Sequence, residues 1–365
     1  MNRRRFFSAA GAGVLAPLRA RSAGHAPTPT PPPPTPAARM KVGCQEGPTN
    51  DEWLRFFARH GVRHICGALP SREDHAPFTV DELSSLRDRC SKHGVALSMM
   101  TEPNLRPTPI DESRHPAILL GQSPDRDRDI EKIQTLIRNC ARAGIPAIRY
   151  NLTIIGYQRS GKVPGPGGAT FSAWRLRDAA ALGKRPTRAG RVTADAFWER
   201  ITYFLDPVIP VASEHKVRMA CHPHDPPTPP GFQGVDSVLG TVEGLKKFVA
   251  IRESPYHGLN FCQGTVAEML ADPAREIFDV IRYFGTRKKI FNVHLRNIRG
   301  ARDDFEERLP DDGSIDFARA VRLYKEIGYD GMLMPDHVPK SPDDPDERQA
   351  FAYCYGYIKG LLMAT

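Results

Sequence analysis

Two histidines and an aspartate crowd one short stretch, Met219-Ala-Cys-His-Pro-His-Asp-Pro-Pro227. It begins as an apolar run and ends in a turn whose prolines each fix their own φ and restrict the preceding residue. Imidazoles and a carboxylate held stiffly at a strand end suit a metal site. A proline-stiffened surface turn with solvated histidines is the plain alternative, since histidine is also a common surface residue.

The rest of the chain decides between them. Three later apolar runs also end in a metal-ligating residue type: Leu259-Asn-Phe-Cys262, Phe291-Asn-Val-His294 and Met332-Leu-Met-Pro-Asp336, the last followed by His337. Taken singly, Cys262 reads as a buried thiol, His294 as a satisfied core histidine and Asp336 as a turn residue. Four successive runs ending alike point instead to a site built from His222, Cys262, His294 and Asp336. Nitrogen, thiolate and carboxylate together suit Mn²⁺, Fe²⁺, Co²⁺ or Zn²⁺ better than Mg²⁺ or Ca²⁺.

Such residues need a frame that aligns strand ends, and the sequence supplies a recurring unit: a helical run, a basic residue, often glycine, then a short apolar strand. It appears as Ala58-Arg-His-Gly-Val-Arg-His-Ile-Cys66, Ser91-Lys-His-Gly-Val-Ala-Leu-Ser98, Ala141-Arg-Ala-Gly-Ile-Pro-Ala-Ile-Arg149, Ser213-Glu-His-Lys-Val-Arg-Met-Ala-Cys221 and Lys325-Glu-Ile-Gly-Tyr-Asp-Gly-Met-Leu-Met334. Glycine after a helix is a C-cap, and a continuous apolar run is a buried parallel strand. Strands are expected at 40–44, 62–67, 95–100, 146–150, 217–221, 258–262, 290–294 and 331–335. Helices fall between them at 51–60, 80–93, 127–143, 194–215, 242–252, 273–284, 315–327 and 346–362. Thr49-Asn-Asp-Glu and Thr79-Val-Asp-Glu read as capping-box starts. Alternating helix and strand around eight strands predicts a (β/α)8 TIM barrel, with chemistry at the strand C-termini. An open doubly wound sheet is the alternative, weakened because no Gly-rich dinucleotide loop follows the first strand. The long, basic, Gly/Pro-rich connection 156–191 reads as a lid, a substrate loop or a homo-oligomer contact; it lacks the Lys-Ser/Thr ending of a phosphate loop.

Composition bounds the partners. The chain has 365 residues and a net charge of +9. Arg3, Arg4, Arg5, Arg19, Arg21 and Arg39 account for six of those charges in a stretch without lysine or acid, leaving +3, a poor basis for nucleic-acid binding. The seven scattered cysteines form no disulfide framework. Arg3-Arg4, Phe6-Phe7 and the small apolar run 8–18 resemble a twin-arginine export signal over residues 1–26, too short to span a membrane. Residues 27–39 form a proline-rich linker, and the catalytic domain is expected over 40–365. A periplasmic or otherwise exported protein follows, meeting the membrane only during export; without a working signal it is cytoplasmic.

His222-Pro-His-Asp-Pro-Pro, Phe261-Cys-Gln-Gly, His294-Leu-Arg-Asn and Pro335-Asp-His, with Gly43-Cys-Gln-Glu46 and Tyr150-Asn151, resemble the motifs of metal-dependent mannonate dehydratases, in the xylose isomerase-like barrel superfamily. The likeness runs over about 40–362. It implies metal ligands His222, Cys262, His294 and Asp336, substrate contact by Arg296 and Asn297, and acid–base work at His337. Mn²⁺ is the first expectation for the ion. His224 stands where the family's turn has an aspartate, and Gly156-Tyr-Gln-Arg159 where it has an aspartate–tryptophan pair. His224 therefore marks altered substrate or chemistry.

The expected reaction is loss of water from a sugar acid such as D-mannonate, giving 2-keto-3-deoxy-D-gluconate. A divalent ion gripping carboxylate and 2-hydroxyl would acidify the C2 proton. His337 is the expected base, Tyr353 or His224 the acid for the departing 3-hydroxyl, and Arg296 the carboxylate clamp. Asn151, Arg159, Asp225 and Asn297 are expected substrate contacts. A sugar isomerase or epimerase on the same barrel, or a non-catalytic metal and sugar-acid binding protein, are the rival readings.

Overall fold

The computed structural model describes residues 40–73 and 76–365; the signal-like segment and linker expected at 1–39 lie outside the described residues. Twelve strands follow in chain order: β1 Lys41–Cys44, β2 His64–Gly67, β3 Ala96–Thr101, β4 Ala147–Asn151, β5 Gly161–Pro164, β6 Thr170–Arg175, β7 Arg218–His222, β8 His257–Cys262, β9 Ile290–His294, β10 Asn297–Ala301, β11 Asp304–Arg308 and β12 Met332–Met334. Eight of them close a parallel barrel in the order β1-β12-β9-β8-β7-β4-β3-β2. These are the eight expected strands, each within two residues of its expected bounds. β8 and β9 are buried at every position, as strands covered on both faces must be.

Helices pack outside, and strand parity sorts the interior. Ala147, Ala220, Phe291, Met332 and Met334 form an apolar layer with Cys66 and Met99. Side chains two residues further along the same strands stand above that layer, so Arg149, His222 and Asp336 emerge at the C-terminal mouth. The fold thus converts a two-residue step along each strand into a change from apolar floor to polar site.

Helix starts follow local chemistry. Thr79 accepts from Glu82 N and the Glu82 carboxylate accepts from Thr79 N, the expected capping box. At the first helix the cap is Asn50, which accepts from Trp53 N, whereas Thr49 Oγ1 accepts from Ala68 N on the next strand's exit. The contact across to β2 displaces the cap by one residue from the expected box.

The connection 156–191, read as a lid, a substrate loop or an oligomer contact, contains two strands. β5 and β6 pair antiparallel, and β6 pairs with β11, giving a second sheet of order β10-β11-β6-β5. The Gly-Pro-Gly-Gly segment is the turn between β5 and β6, with Gly167 and Gly168 both at positive φ. No helix among the described residues is long and apolar enough to cross a membrane.

The repeated glycine does the work expected of it. Gly61, Gly94, Gly144 and Gly328 all sit at positive φ, closing helices through paired backbone bonds such as Gly144 N to Ala141 O and Ile145 N to Cys140 O. Lys216 occupies the equivalent place at φ 56°, with Lys216 N on Ser213 O and Val217 N on Ala212 O. A side chain there is strained by about 1 kcal/mol. Lys216→Gly is therefore expected to raise unfolding stability by up to about 1 kcal/mol in chemical denaturation, and no gain would show that the strain is relieved locally.

Candidate metal centre

Four adjacent barrel strands deliver the four donors. His222 closes β7, Cys262 closes β8, His294 closes β9, and Asp336 lies two residues beyond β12. All four are buried, and their ligand atoms lie within 4.8 Å of one another. His294 Nδ1 is 3.3 Å from Asp336 Oδ1, and Cys262 Sγ is 3.5 Å from Asp336 Oδ2. The His222 Nδ1 faces the Pro223 carbonyl at 2.7 Å, which places its proton there and leaves a lone pair on Nε2. The His294 Nε2 lies 3.0 Å from the Asn260 amide, while its Nδ1 is buried with no hydrogen-bond partner. An orphaned imidazole nitrogen facing a carboxylate and a thiol is the donor chemistry a borderline divalent cation fits.

The electrostatics favour the ligating forms. Burial, with help from the Arg149 cation, pushes His222 down to about 4, so the imidazole is neutral. Burial alone would raise the Cys262 thiol, but the Arg296 guanidinium and His294 bring it below its ordinary value, toward the thiolate that binds metals. Burial likewise opposes ionisation of Asp336, yet His337, His294 and Arg296 hold it well below the carboxylate range.

Behind the donors lies a buried charge network. Arg296 reaches Asp225 at 2.8 Å, Glu268 at 2.8 Å, Glu307 at 2.7 Å and Asp336 at 3.2 Å. Arg159 reaches Glu268 at 3.2 Å and Glu307 at 2.5 Å, and also pairs with Asp225. The His337 Nδ1 is 2.7 Å from Glu307 Oε1. Burial would lower His337, but Asp336 and Glu307 outweigh it and push it up to about 10. Burial and the neighbouring Asp225 raise Glu268 well above the carboxylate range, so it holds a proton among these acids.

A cleft of about 320 Å³ opens beside the donors, its wall including Asn151, His222, Asp225, Asp336 and His337. Other expected site residues lie elsewhere. His224 is buried, stacks on Phe197 at 5.4 Å, and has both ring nitrogens engaged, by Ser237 Oγ at 2.7 Å and the Leu152 carbonyl at 2.8 Å. It does not line the cleft, and its position corrects the expectation of an acid there; in the turn, His222 and Asp225 face inward and His224 packs outward. Tyr353 is 43% exposed, on the helix Arg348–Ala364, with its ring 6.4 Å from Tyr357 and away from the cleft. The Asn297 amide donates to the Pro310 and Ile315 carbonyls, at 2.9 and 3.0 Å, which makes it a brace for that connection. Arg296 is fully buried and absent from the cleft wall, so the expected clamp is a structural ion-pair hub. Arg159 lines an adjoining pocket with Tyr157, Glu307 and His337.

Several residues went unread in the sequence. Glu268 and Glu307 complete the network, and Gln45 Nε2 donates to Asp336 Oδ1 at 3.2 Å. Tyr157 lines the cleft and meets the His337 ring edge-on at 4.7 Å; burial pushes its phenol far up, so it stays protonated. Arg106, Arg149 and Glu46 also reach the cleft. A signal existed for two of them: Arg149 is a charge inside the apolar strand Ala147-Ile-Arg-Tyr-Asn151, and Glu268 follows Thr265-Val-Ala in a wholly buried segment.

Comparison with known proteins bears on this arrangement. A mannonate dehydratase of Thermotoga petrophila is 28% identical over 317 residues, covering 76% of this chain and 82% of the relative. That of Geobacillus thermodenitrificans is 29% identical over 311 residues, covering 76% and 80%. The crystal structure of mannonate dehydratase from Streptococcus suis serotype 2 superposes with a TM-score of 0.77 at 24% identity, over 90% of this chain and 93% of that one. A xylose isomerase domain protein from Planctomyces limnophilus shares the barrel, with a TM-score of 0.57 at 13% identity over 89% and 98% of the two chains. Residues 168–365 match the family model of D-mannonate dehydratase (UxuA), more than half of the chain. The chain belongs to the D-mannonate dehydratase (UxuA) family.

Proposed function

We propose that the protein is a metal-dependent hydro-lyase that removes water from an aldonate, D-mannonate first, to give a 2-keto-3-deoxy acid. The observation that carries this reading is the four-donor cluster, His222, Cys262, His294 and Asp336, beside a cleft walled by His337. We assign those four as the ligands of a divalent ion, with Mn²⁺ as the first choice. The ion would supply Lewis acidity at the substrate carboxylate and 2-hydroxyl, favouring loss of the C2 proton. We assign His337 to proton transfer at C2: Glu307 anchors its Nδ1 and Nε2 is left toward the substrate. Because Asp336 and Glu307 favour the protonated ring, it would act as the base once a bound ion offsets the Asp336 charge. Tyr157 donates to the departing 3-hydroxyl, a role we assign on its place in the cleft wall against the His337 ring. Asn151 and Asp225 contact the sugar hydroxyls from the same wall.

Three outcomes are expected. Purified protein carries a stoichiometric divalent metal and releases a 2-keto-3-deoxy acid from D-mannonate, while Cys262→Ser and His294→Ala lose both metal and turnover; full metal content and activity in both variants would sink the assignment. An isomeric sugar without loss of water would point to an isomerase or epimerase instead. His337→Gln keeps its metal but loses kcat by about 10²–10⁴-fold, and Tyr157→Phe falls in the same direction by less, as expected of general acid–base groups. We propose also that residues 1–39 direct export, on the strength of Arg3-Arg4 followed by Phe6-Phe7 and an apolar run. Fused to a reporter, they should carry it folded into the periplasm, and Arg3→Lys with Arg4→Lys should stop it; export unaffected by that change removes the proposal.

A further inference from the structure

Three arginines approach the site from within the barrel and its roof, and they differ in what surrounds them. Arg159 and Arg296 are each held by three or more acidic side chains. Arg149 is held by none. Its Nε is buried without a hydrogen-bond partner, and no carboxylate among the described residues pairs with its guanidinium. Glu46 shares the cleft wall but forms no ion pair with Arg149.

The register of the barrel places this cation. Arg149 pairs with Ala220 and Asn151 with His222 across β4 and β7, so Arg149 rises from one inward step below the metal donor His222. It lines the cleft with Asn151, His222 and Asp336, and Arg106 adds a second, exposed guanidinium at the rim. A guanidinium without a counter-ion in a barrel wall is unfavourable for the folded chain. An incoming carboxylate relieves that and can accept two parallel N–H bonds from the planar fork.

We propose that Arg149 binds the substrate's carboxylate, with Arg106 drawing the anion in, and so selects sugar acids over neutral sugars and polyols. This rests on the sugar-acid reading above and moves the clamp expected at Arg296 to a residue with free donors. The two arginines divide the work by position: Arg149 sets affinity from the wall, and Arg106 contributes long-range attraction that salt screens.

Calorimetry on the full-length, Mn²⁺-loaded protein with D-mannonate and with the neutral polyol D-mannitol tests this. Arg149→Gln should weaken D-mannonate by about 30-fold, the loss of one charged hydrogen-bonding partner, with D-mannitol binding and bound Mn²⁺ unchanged. Arg149→Lys should restore part of the affinity, and Arg106→Gln should steepen neither binding curve at high salt but weaken D-mannonate at low salt. In turnover, the Arg149→Gln defect should sit mainly in KM. Parent-like D-mannonate affinity in folded Arg149→Gln overturns the proposal, as does equal weakening of D-mannitol. If Arg149→Gln does not fold, Arg149→Lys decides: a charge-retaining variant with parent-like D-mannitol binding and weakened D-mannonate supports the clamp, and one unchanged for both overturns it. Arg149-dependent binding without release of a 2-keto-3-deoxy acid would remove the proposed reaction and leave this inference standing.

Discussion

A guanidinium sealed away from water constrains the whole mouth of the barrel. Arg296 has no exposed side-chain surface and faces Asp225, Glu268, Glu307 and Asp336. Taking ions out of water costs several kcal/mol each, and only close, hydrogen-bonded geometry repays it. The partners come from the turn after β7, the segment after β8, strand β11 and the exit of β12. Displacing any of these elements leaves a buried charge unmatched. The network is therefore better viewed as a lock on geometry than as a source of net stability.

That lock also tunes the donors. The same guanidinium lies 3.6 Å from Cys262 Sγ and 3.2 Å from Asp336, and it favours the ionised form of both. A thiol buried this deeply would otherwise stay protonated; burial pushes Cys44 and Cys140 up to about 12, and they have no such neighbour. One residue thus touches two ligands and favours the ionised form of both, with His337 and His294 adding to the effect at Asp336. A lysine could supply the charge but not the planar fork that spans separate carboxylates.

The barrel was legible because parallel strands are short apolar runs that follow a glycine-closed helix, and both signals are local. The four donors were legible for the same reason: each ends such a run. The second sheet was not, because β6 and β11 are joined by pairing between residues near 173 and 305, a contact no local pattern encodes. Its loss from the sequence reading hid Glu307, which closes the ion network from the roof. Burial was equally hidden. Arg296 and Asn297 lie two and three residues after His294 and look like cleft residues by position, yet the chain turns there into β10 and buries both. Tyr353 stood out among aromatic neighbours, whereas the tyrosine that meets His337 is Tyr157, in the connection read as a lid, a substrate loop or an oligomer contact.

Proton transfer is tied into the same lattice of charges. His337 bonds Glu307, and Glu307 bonds Arg159 and Arg296, the second of which touches Asp336. The imidazole is therefore positioned by the group that positions a metal ligand, through one shared carboxylate. Any movement of β11 that shifts Glu307 must disturb the base and the ligand together. This explains why the roof sheet, which contributes no donor to the metal cluster, is inseparable from it: the roof supplies the anion that two arginines and a histidine all require.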